Sequence, residues 1–154
     1  MIKKIKILPI MLSSLFIAAG SANAADLDKA VEIRQSYMQM IAFNMGVVGN
    51  MAKGKTDYDA QIALDAAQNL ALLSKMNYQS MWPEGSSNSD LGNTRSKMEI
   101  WTDAAGFAEK HTDFVRRTDN LVSLANKGLG NLRSAVKEMG GSCGGCHQGF
   151  RTKK

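Results

Sequence analysis

The stretch that decides the fold is IWTDAAGFAEKHTDFVRRTDNLVSLA, residues 100–125. Its mostly apolar positions recur in alternating steps of four and three, which places them along one face of a helix. The positions on this face are Ile100, Ala104, Phe107, His111, Phe114, Thr118, Leu121 and Ala125. A helix with such a face must bury it against other elements. We therefore predict one continuous helix over residues 97–127 that packs against neighbouring helices.

Three further segments have the same helical periodicity. Residues 129–150 repeat the rhythm, and residues 26–51 and 57–76 carry their own apolar stripes. Gly54 is a typical helix stop, and Thr56 or Asp57 is a typical cap for the second helix. Sustained spacing of this kind in four segments predicts an all-α, antiparallel (up-down-up-down) four-helix bundle. The long link at residues 78–97 is rich in Gly, Ser and Asn, as functional loops often are.

The N-terminal segment differs in composition from the rest of the chain. It has three lysines within its first six residues, an apolar run at residues 7–19 and the small-residue pattern Ala-Asn-Ala at residues 22–24. This pattern predicts a cleaved signal peptide, residues 1–24, and a single exported domain, residues 25–154. The apolar run is too short for a span of roughly 20 residues, so we expect a periplasmic protein without a membrane anchor after cleavage.

The charge of the predicted mature domain is close to neutral. Residues 1–24 carry three of the 19 basic residues and none of the 14 acidic ones, so the remaining chain has a formal charge of +2. The apparent basicity of the whole chain therefore belongs largely to the N-terminal segment. Such a weak charge gives no electrostatic case for a nucleic-acid partner, and we predict none.

Both cysteines and one of the two histidines lie in the short motif Cys143-Gly-Gly-Cys146-His147. Their spacing of three and four residues puts the three side chains on one helix face, the apolar one. A redox disulfide would usually follow a strand and begin a helix, whereas this pair lies near a helix end. A structural zinc site needs four ligands, and His111 is the one histidine outside the motif that could be the fourth. Adjacent Cys146 and His147 on a helix are poorly placed to bind one tetrahedral ion, so the pattern does not favour zinc.

The spacing C-x-x-C-H is the attachment motif of c-type haem. The two thiols bond to the two vinyl groups of the porphyrin, and the histidine that follows places its imidazole under the iron. The motif therefore predicts one covalently bound haem c, with Cys143 and Cys146 as anchors and His147 as the proximal iron ligand.

Three segments together resemble the cytochromes c prime, the class II c-type cytochromes. They are RQSYM at residues 34–38, MEIW at residues 98–101 and CGGCHQGFR at residues 143–151. The resemblance covers the whole predicted mature domain. It implies that the haem propionates meet Arg34 and Gln35, that the haem edge contacts Thr94, and that Arg151 lies close to His147.

The same resemblance implies that Met38 lies over the haem face opposite His147. In typical members this position holds a non-ligand that crowds a five-coordinate, high-spin iron, whereas a methionine there ligates the iron in low-spin relatives. We predict a five-coordinate iron with Met38 as a lid, and keep Met38 as a possible sixth ligand. Tyr78 and Met81 are expected to complete the distal pocket. His111 is expected to be a structural histidine.

A crowded axial site without strong polar donors favours neutral diatomic gases, nitric oxide or carbon monoxide, over anions. We therefore expect a gas-binding haem protein that takes part in electron transfer. The alternative is a low-spin His/Met cytochrome that acts as a one-electron carrier for an unknown redox partner. A peroxidase would want a distal acid–base pair, which the sequence does not offer, so we do not expect an enzyme.

The first helix has a second apolar stripe, made of Ile33, Met40, Phe43 and Val47. It lies well away from the core stripe at 100° per residue. Scattered apolar side chains are normal on a surface, but an aligned set is typical of an interface. We predict a homodimer through the first helix.

Overall fold

The computed structural model describes residues 24–153. Its helices are α1 (Ala24–Ala52), α2 (Ala60–Ser74), the short α3 (Glu99–Thr102), α4 (Ala104–Leu124) and α5 (Leu129–Phe150), with a 3₁₀ turn at Gln79–Met81. Extended pairing within residues 24–153 is limited to one antiparallel bridge between Ser96 and Arg151. The predicted signal peptide lies outside the described residues, except for Ala24.

The four long helices form a ring in which each contacts the next: α1 with α2, α2 with α4, α4 with α5, and α5 with α1. The all-α four-helix bundle predicted from the sequence is confirmed. Its centre is filled by side chains from all four helices that are at most 1% exposed, among them Val31, Val48, Leu70, Leu121, Leu132 and Met139. No helix of the described chain is long and apolar enough to cross a membrane.

The link between α1 and α2 shows one confirmed and one wrong prediction. Gly54 follows the end of α1 with φ +69°, a conformation that favours glycine. The second helix does not start at Thr56 or Asp57, because Asp59 caps it by accepting from the backbone N–H groups of residues 61 and 62 at 2.8 and 2.9 Å. Tyr58 lies before the helix, and its hydroxyl donates to the carbonyl of Ala125 at 2.9 Å.

The third helix is interrupted, so the prediction of one continuous helix was wrong. Asp103 has φ −124° and ψ 56°, which ends α3, and its carboxylate accepts from the N–H of Gly106 to cap α4 at 3.1 Å. Aspartate is often found at such a helix boundary, because its carboxylate competes with backbone carbonyls for the backbone N–H groups. The apolar periodicity continues across the break, which is why the sequence pattern concealed it.

The long link between α2 and α3 is held by hydrogen bonds within it and by bonds to the end of α5. Ser87 is fully buried, and its hydroxyl donates to the carboxylate of Asp90 at 2.6 Å. Near α3, the N–H of Lys97 donates to the carbonyl of Phe150 at 3.0 Å, and the N–H of Thr152 donates to the carbonyl of Arg95 at 2.9 Å. These bonds hold residues 94–96 beside the last turn of α5, where the Cys-x-x-Cys-His motif lies.

Candidate functional site

A cavity of about 530 Å³ opens between α1, the long link, α3, α4 and the end of α5. This volume lies in the range of ligand and cofactor sites, roughly 300–1,000 Å³. The lining residues are Arg34, Gln35, Met38, Gln39, Ala42, Trp82, Gly92, Asn93, Thr94, Arg95, Ser96, Ile100, Phe107, Cys146, His147, Phe150 and Arg151. The structure therefore brings together side chains that lie more than a hundred residues apart in the chain.

The two cysteines of the motif are free thiols, each partly buried. Cys146 lines the cavity, whereas Cys143, one turn earlier on α5, packs against the hydrophobic core. Burial raises the pKa of both thiols, and Cys143 further raises the pKa of Cys146. Two unpaired, protonated thiols on one helix face fit thioether anchors better than a reactive thiolate pair.

His147 lies in the last turn of α5 and its side chain lines the cavity. Burial lowers the pKa of its imidazole, and the guanidinium groups of Arg151 and Arg95 lower it further. The neutral ring is the form that ligates iron. The residues present therefore fit a covalent haem, with iron held by His147.

Arg34 is a buried cation, only 3% exposed, in the wall formed by α1. Its guanidinium donates to the hydroxyl and the carbonyl of Ser86 at 2.8 and 2.6 Å, to the hydroxyl of Thr94 at 2.7 Å, and to the carbonyl of Met81 at 3.4 Å. All four acceptors are neutral. Burial lowers the pKa of Arg34 to about 10, so it stays charged at neutral pH. A buried cation without a carboxylate partner in residues 24–153 fits an anionic group in the cavity, such as a haem propionate.

Gln35 reaches the same wall from the next position of α1. Its side-chain amide donates to the carbonyl of Asn93 at 2.8 Å, and the Asn93 amide donates to the carboxylate of Asp28 at 2.9 Å. Both Gln35 and Asn93 line the cavity. The structure thus places Arg34, Gln35 and Thr94 in one wall of the cavity. The contacts of Arg34 and Gln35 with haem propionates, and of Thr94 with the haem edge, stay predictions.

Met38 lines the cavity together with His147, from a different helix, and is 40% exposed. An aromatic wall adjoins them, in which the ring of Phe107 contacts Phe150 and Trp82 at centroid distances of 5.2 and 5.6 Å. A thioether and aromatic rings supply mostly apolar surface. The position is suitable for either a lid or a ligand.

Tyr78 and Met81, expected in the distal pocket, are not among the residues that line the cavity. Tyr78 lies behind its wall, with edge contacts to Trp82 and Phe107 at 6.0 and 5.8 Å. Met81 is 6% exposed and belongs to the core. Tyr78 therefore supports the aromatic wall from outside the cavity, whereas Met81 packs in the core.

His111 is stacked on Tyr78 at a centroid distance of 3.8 Å and does not line the cavity. Burial lowers the pKa of its imidazole, an effect that a hydrogen bond with the backbone of Ser74 partly offsets. Its Nε2 atom is buried and has no hydrogen-bond partner among the described residues. This placement between α2 and α4 agrees with a structural histidine.

Sequence reasoning missed Ser86, Arg95 and Phe107 as site residues. Phe107 was assigned to the core face because a helical period does not distinguish core from cavity wall. Ser86 and Arg95 lie in the long link, where no periodicity signals which side chain faces inward. The Arg95 position follows from its backbone bond to Thr152, a contact between distant segments.

Comparison with known proteins gives a consistent result over nearly the whole chain. The family described as Cytochrome C' matches residues 29–151. A cytochrome c' of Cereibacter sphaeroides is 36% identical over 146 residues, covering 94% of this chain and 98% of that protein. The solved structure of cytochrome c' from Rhodobacter sphaeroides aligns with a TM-score of 0.82 and 35% identity, covering 83% of this chain and 98% of that one.

A second solved structure is the nitric oxide complex of a variant of cytochrome c prime from Alcaligenes xylosoxidans. It is 31% identical and aligns with a TM-score of 0.74, covering 86% of this chain and all of that one, 100%. The similarity extends across all four long helices of the bundle.

Proposed function

Because this chain belongs to the cytochrome c' family, whose members carry a covalent c-type haem, we propose that it binds small neutral gases at a five-coordinate, high-spin iron and also takes part in electron transfer. The gases are nitric oxide and carbon monoxide. Cys143 and Cys146 would hold the haem through thioethers, and His147 would hold the iron. The haem would supply an iron that can bind a gas and a one-electron couple.

The observation that carries the proposal is that apolar side chains line the cavity together with Met38, namely Ala42, Trp82, Ile100, Phe107 and Phe150. Arg34 is the basic side chain that α1 contributes to the wall, and its donors already bond to Ser86 and Thr94 of the long link. Since the donors of Arg34 are engaged and several lining side chains are apolar, we expect the space beside Met38 to suit a neutral diatomic molecule better than an anion. The nitric oxide complex of the related Alcaligenes protein supports this ligand class.

The same arrangement supports a binding protein rather than an enzyme. Acid–base catalysis on a bound peroxide would need a positioned proton donor and acceptor beside the open side of the iron. His111 lies behind Tyr78, outside the cavity lining, and Arg34 is engaged with the link. No residue is thus proposed for a catalytic role.

The second candidate is the low-spin electron carrier, and one observation favours it. Met38 and His147 line the same cavity, and a thioether is a competent iron ligand that raises the reduction potential. In that case both axial positions are filled by the chain, and gases do not bind. The gas-binding candidate predicts that the Met38 sulfur does not ligate the iron, whereas the electron-carrier candidate predicts that it does.

Met38→Leu tests the proposal because it removes the sulfur while keeping the volume nearly constant. We expect the wild-type protein and Met38→Leu to have the same high-spin optical spectrum. Met38→Ala should bind carbon monoxide faster by about tenfold, since relief of about 1.4 kcal/mol of crowding corresponds to that factor. A low-spin wild-type spectrum that becomes high-spin in Met38→Leu would establish the electron carrier instead.

The proposal includes export to the periplasm and a homodimer. Export rests on the signal peptide predicted at residues 1–24. In the predicted α1 stripe, Ile33, Met40 and Phe43 are 46%, 46% and 72% exposed, whereas Val47 packs against the core. Leu72 of α2, 70% exposed, extends the stripe into a patch shared by two helices. An apolar patch of this kind suits a self-complementary interface.

A further inference from the structure

We propose that Met38 is a site of reversible oxidation by hydrogen peroxide, and that formation of its sulfoxide regulates gas binding in the cavity. The inference rests on the proposed function, because it needs an iron in the cavity that Met38 does not ligate. It goes beyond that function by giving the Met38 sulfur a reaction of its own. The product is methionine sulfoxide, which methionine sulfoxide reductases convert back to methionine.

Met38 differs from the other methionines in the surroundings of its sulfur. Within residues 24–153, Met38 is the one methionine that lines the cavity. Met51, Met81 and Met139 are at most 6% exposed and belong to the hydrophobic core, so they are shielded from an oxidant in water. Met98 has the same exposed fraction as Met38, 40%, but does not line the cavity. Exposure alone therefore predicts equal oxidation of Met38 and Met98, and a preference for Met38 has to come from the cavity.

The proposed reaction transfers one oxygen atom from hydrogen peroxide to the thioether sulfur of Met38. One S–O bond forms and the O–O bond of the peroxide breaks. The sulfur loses two electrons and the peroxide gains them. The proton of the transferred hydroxyl group passes to the departing hydroxide, which leaves as water. One thioether and one hydrogen peroxide therefore give one sulfoxide and one water, and no further reactant is needed.

The cavity would bring the peroxide and the sulfur together. Met38 and His147, the proposed iron ligand, line the same cavity from different helices. The haem would supply an iron that draws electron density from a bound peroxide and so makes its oxygen more electrophilic. Hydrogen peroxide is small and neutral, like the gases proposed for this cavity. A peroxide held beside Met38 would be activated and close to the sulfur, whereas Met98 would meet only dilute peroxide from water.

The polar side chains around the cavity leave the Met38 sulfur time to react. His111 is stacked on Tyr78 outside the cavity lining, and the guanidinium of Arg34 is engaged with the long link. Neither is therefore placed to cleave the peroxide by acid–base catalysis before the sulfur reacts. Trp82 also lines the cavity and carries an oxidisable indole, which makes it an internal competitor of Met38.

Oxidation would replace an apolar lid by a polar one. The sulfoxide oxygen is a hydrogen-bond acceptor, whereas the thioether that it replaces is apolar. Gln39 and Arg95 line the same cavity and carry donors for that oxygen. A polar oxygen held beside the iron would compete with a neutral gas for that space. We expect the affinity for carbon monoxide to fall by at least about threefold.

The test treats the ferric holoprotein with hydrogen peroxide and follows the peptides that contain Met38, Met98 and Trp82 by mass spectrometry. We expect the Met38 sulfoxide to form at least about tenfold faster than the Met98 sulfoxide, because reactants held together in one cavity have a higher effective concentration. Met98 is the matched control for exposure. Equal rates at the two methionines, faster oxidation of Met98, or oxidation of Trp82 in place of Met38 would overturn the proposal.

The regulatory part is tested by the carbon monoxide affinity of the reduced protein before and after peroxide treatment. The wild type and Met98→Leu should each lose affinity by at least about threefold, and should recover it after incubation with methionine sulfoxide reductases. Met38→Leu should keep the affinity that it had before treatment, which excludes damage to the haem as the cause. An equal loss in Met38→Leu, or no loss in the wild type, would contradict regulation through Met38.

Failure of the proposed function has a different signature. A protein in which Met38 ligates the iron would have a low-spin spectrum and bind no carbon monoxide before any peroxide is added. A protein that binds carbon monoxide before treatment, but oxidises Met38 and Met98 at equal rates, would refute the oxidation site alone.

Discussion

At the scale of single residues, Arg34 connects α1 with the long link. Its four hydrogen bonds reach residues 47 to 60 positions away in the chain. The Arg34 side chain therefore lines the cavity and also holds the long link against α1 through hydrogen bonds. The fork of the guanidinium is needed for this, because several acceptors lie in different directions.

Arg34→Lys keeps the charge and loses the fork. We expect it to lower the free energy of unfolding by about 1–3 kcal/mol, since buried acceptors of the link are left without donors. Urea unfolding of the holoprotein measures this change, and the m-value (the dependence of the free energy of unfolding on urea concentration) should stay the same. Arg133→Lys is the control, because Arg133 is exposed and donates a single bond to the carbonyl of Ala52. Equal stability of the two variants would show that the Arg34 bonds do not fasten the link.

Some of the cavity residues could be predicted from the sequence, and others could not. The helical period placed Arg34 on the inward face of α1, and the motif spacing identified Cys146 and His147 as neighbours on α5. Thr94 was found through the resemblance alone. Ser86, the residue that accepts two of the Arg34 bonds, was not found, because its burial depends on how the whole link folds back.

At the scale of elements, Asp103 and Gly106 define where α4 begins. A Cβ atom added at Gly106 would come within 2.3 Å of the Asp103 carboxylate oxygen. A side chain at position 106 therefore forces the Asp103 carboxylate to move and weakens the capping bond as it stands. This coupling gives Gly106 a role near the start of a helix, where glycine costs about 1 kcal/mol relative to alanine.

The coupling predicts a non-additive double-mutant cycle. Gly106→Ala should leave the stability nearly unchanged in the wild type, because the gain in helix propensity is offset by loss of a cap worth about 1 kcal/mol. In the Asp103→Ala background the same substitution should stabilise by about 1 kcal/mol.

Thermal and urea unfolding of the four proteins measure the cycle. Gly140→Ala in α5, where an added Cβ meets no atom within 4 Å, is the control and should stabilise in both backgrounds. An equal effect of Gly106→Ala with and without Asp103 would disprove the coupling.

Element boundaries were less predictable than the elements themselves. Three residues before α2 are good caps, Thr56, Asp57 and Asp59, and local sequence does not rank them. The choice follows from Tyr58, whose hydroxyl also accepts from the N–H of Gly128 at 3.0 Å and so fixes the link against the start of α5. Such a tertiary contact is outside the reach of a local pattern.

At the scale of the whole molecule, the exposed apolar patch of α1 and α2 is the surface that we propose for dimer formation. Phe43 is its most exposed large side chain, at 72%. Its ring would be largely removed from water in a dimer that places α1 against α1. The bundle itself gives this side chain no interior position, because the core stripe of α1 faces another direction.

Phe43→Glu should convert the proposed dimer to a monomer, because two carboxylates would be buried at the same symmetric contact. The molar mass from light scattering during gel filtration measures this directly. Ile62→Glu is the matched control, since Ile62 is 51% exposed on α2 and is not a residue of the patch. A wild-type monomer, or a Phe43→Glu dimer, would contradict the predicted interface.

The fold of the whole molecule followed from helical periodicity, because four apolar stripes have few ways to bury one another. The closing of the cavity did not, because it depends on the pairing of residues 95–97 with residues 150–152. That pairing joins a segment of irregular structure to a helix end, and no repeating pattern encodes it.

We propose that Met38 does not ligate the iron, which is therefore free to bind a gas. The optical spectrum of the reduced protein, before and after addition of carbon monoxide, tests it most directly. We expect a broad high-spin Soret band that shifts and sharpens when carbon monoxide is added. Sharp low-spin bands that carbon monoxide leaves unchanged would contradict it.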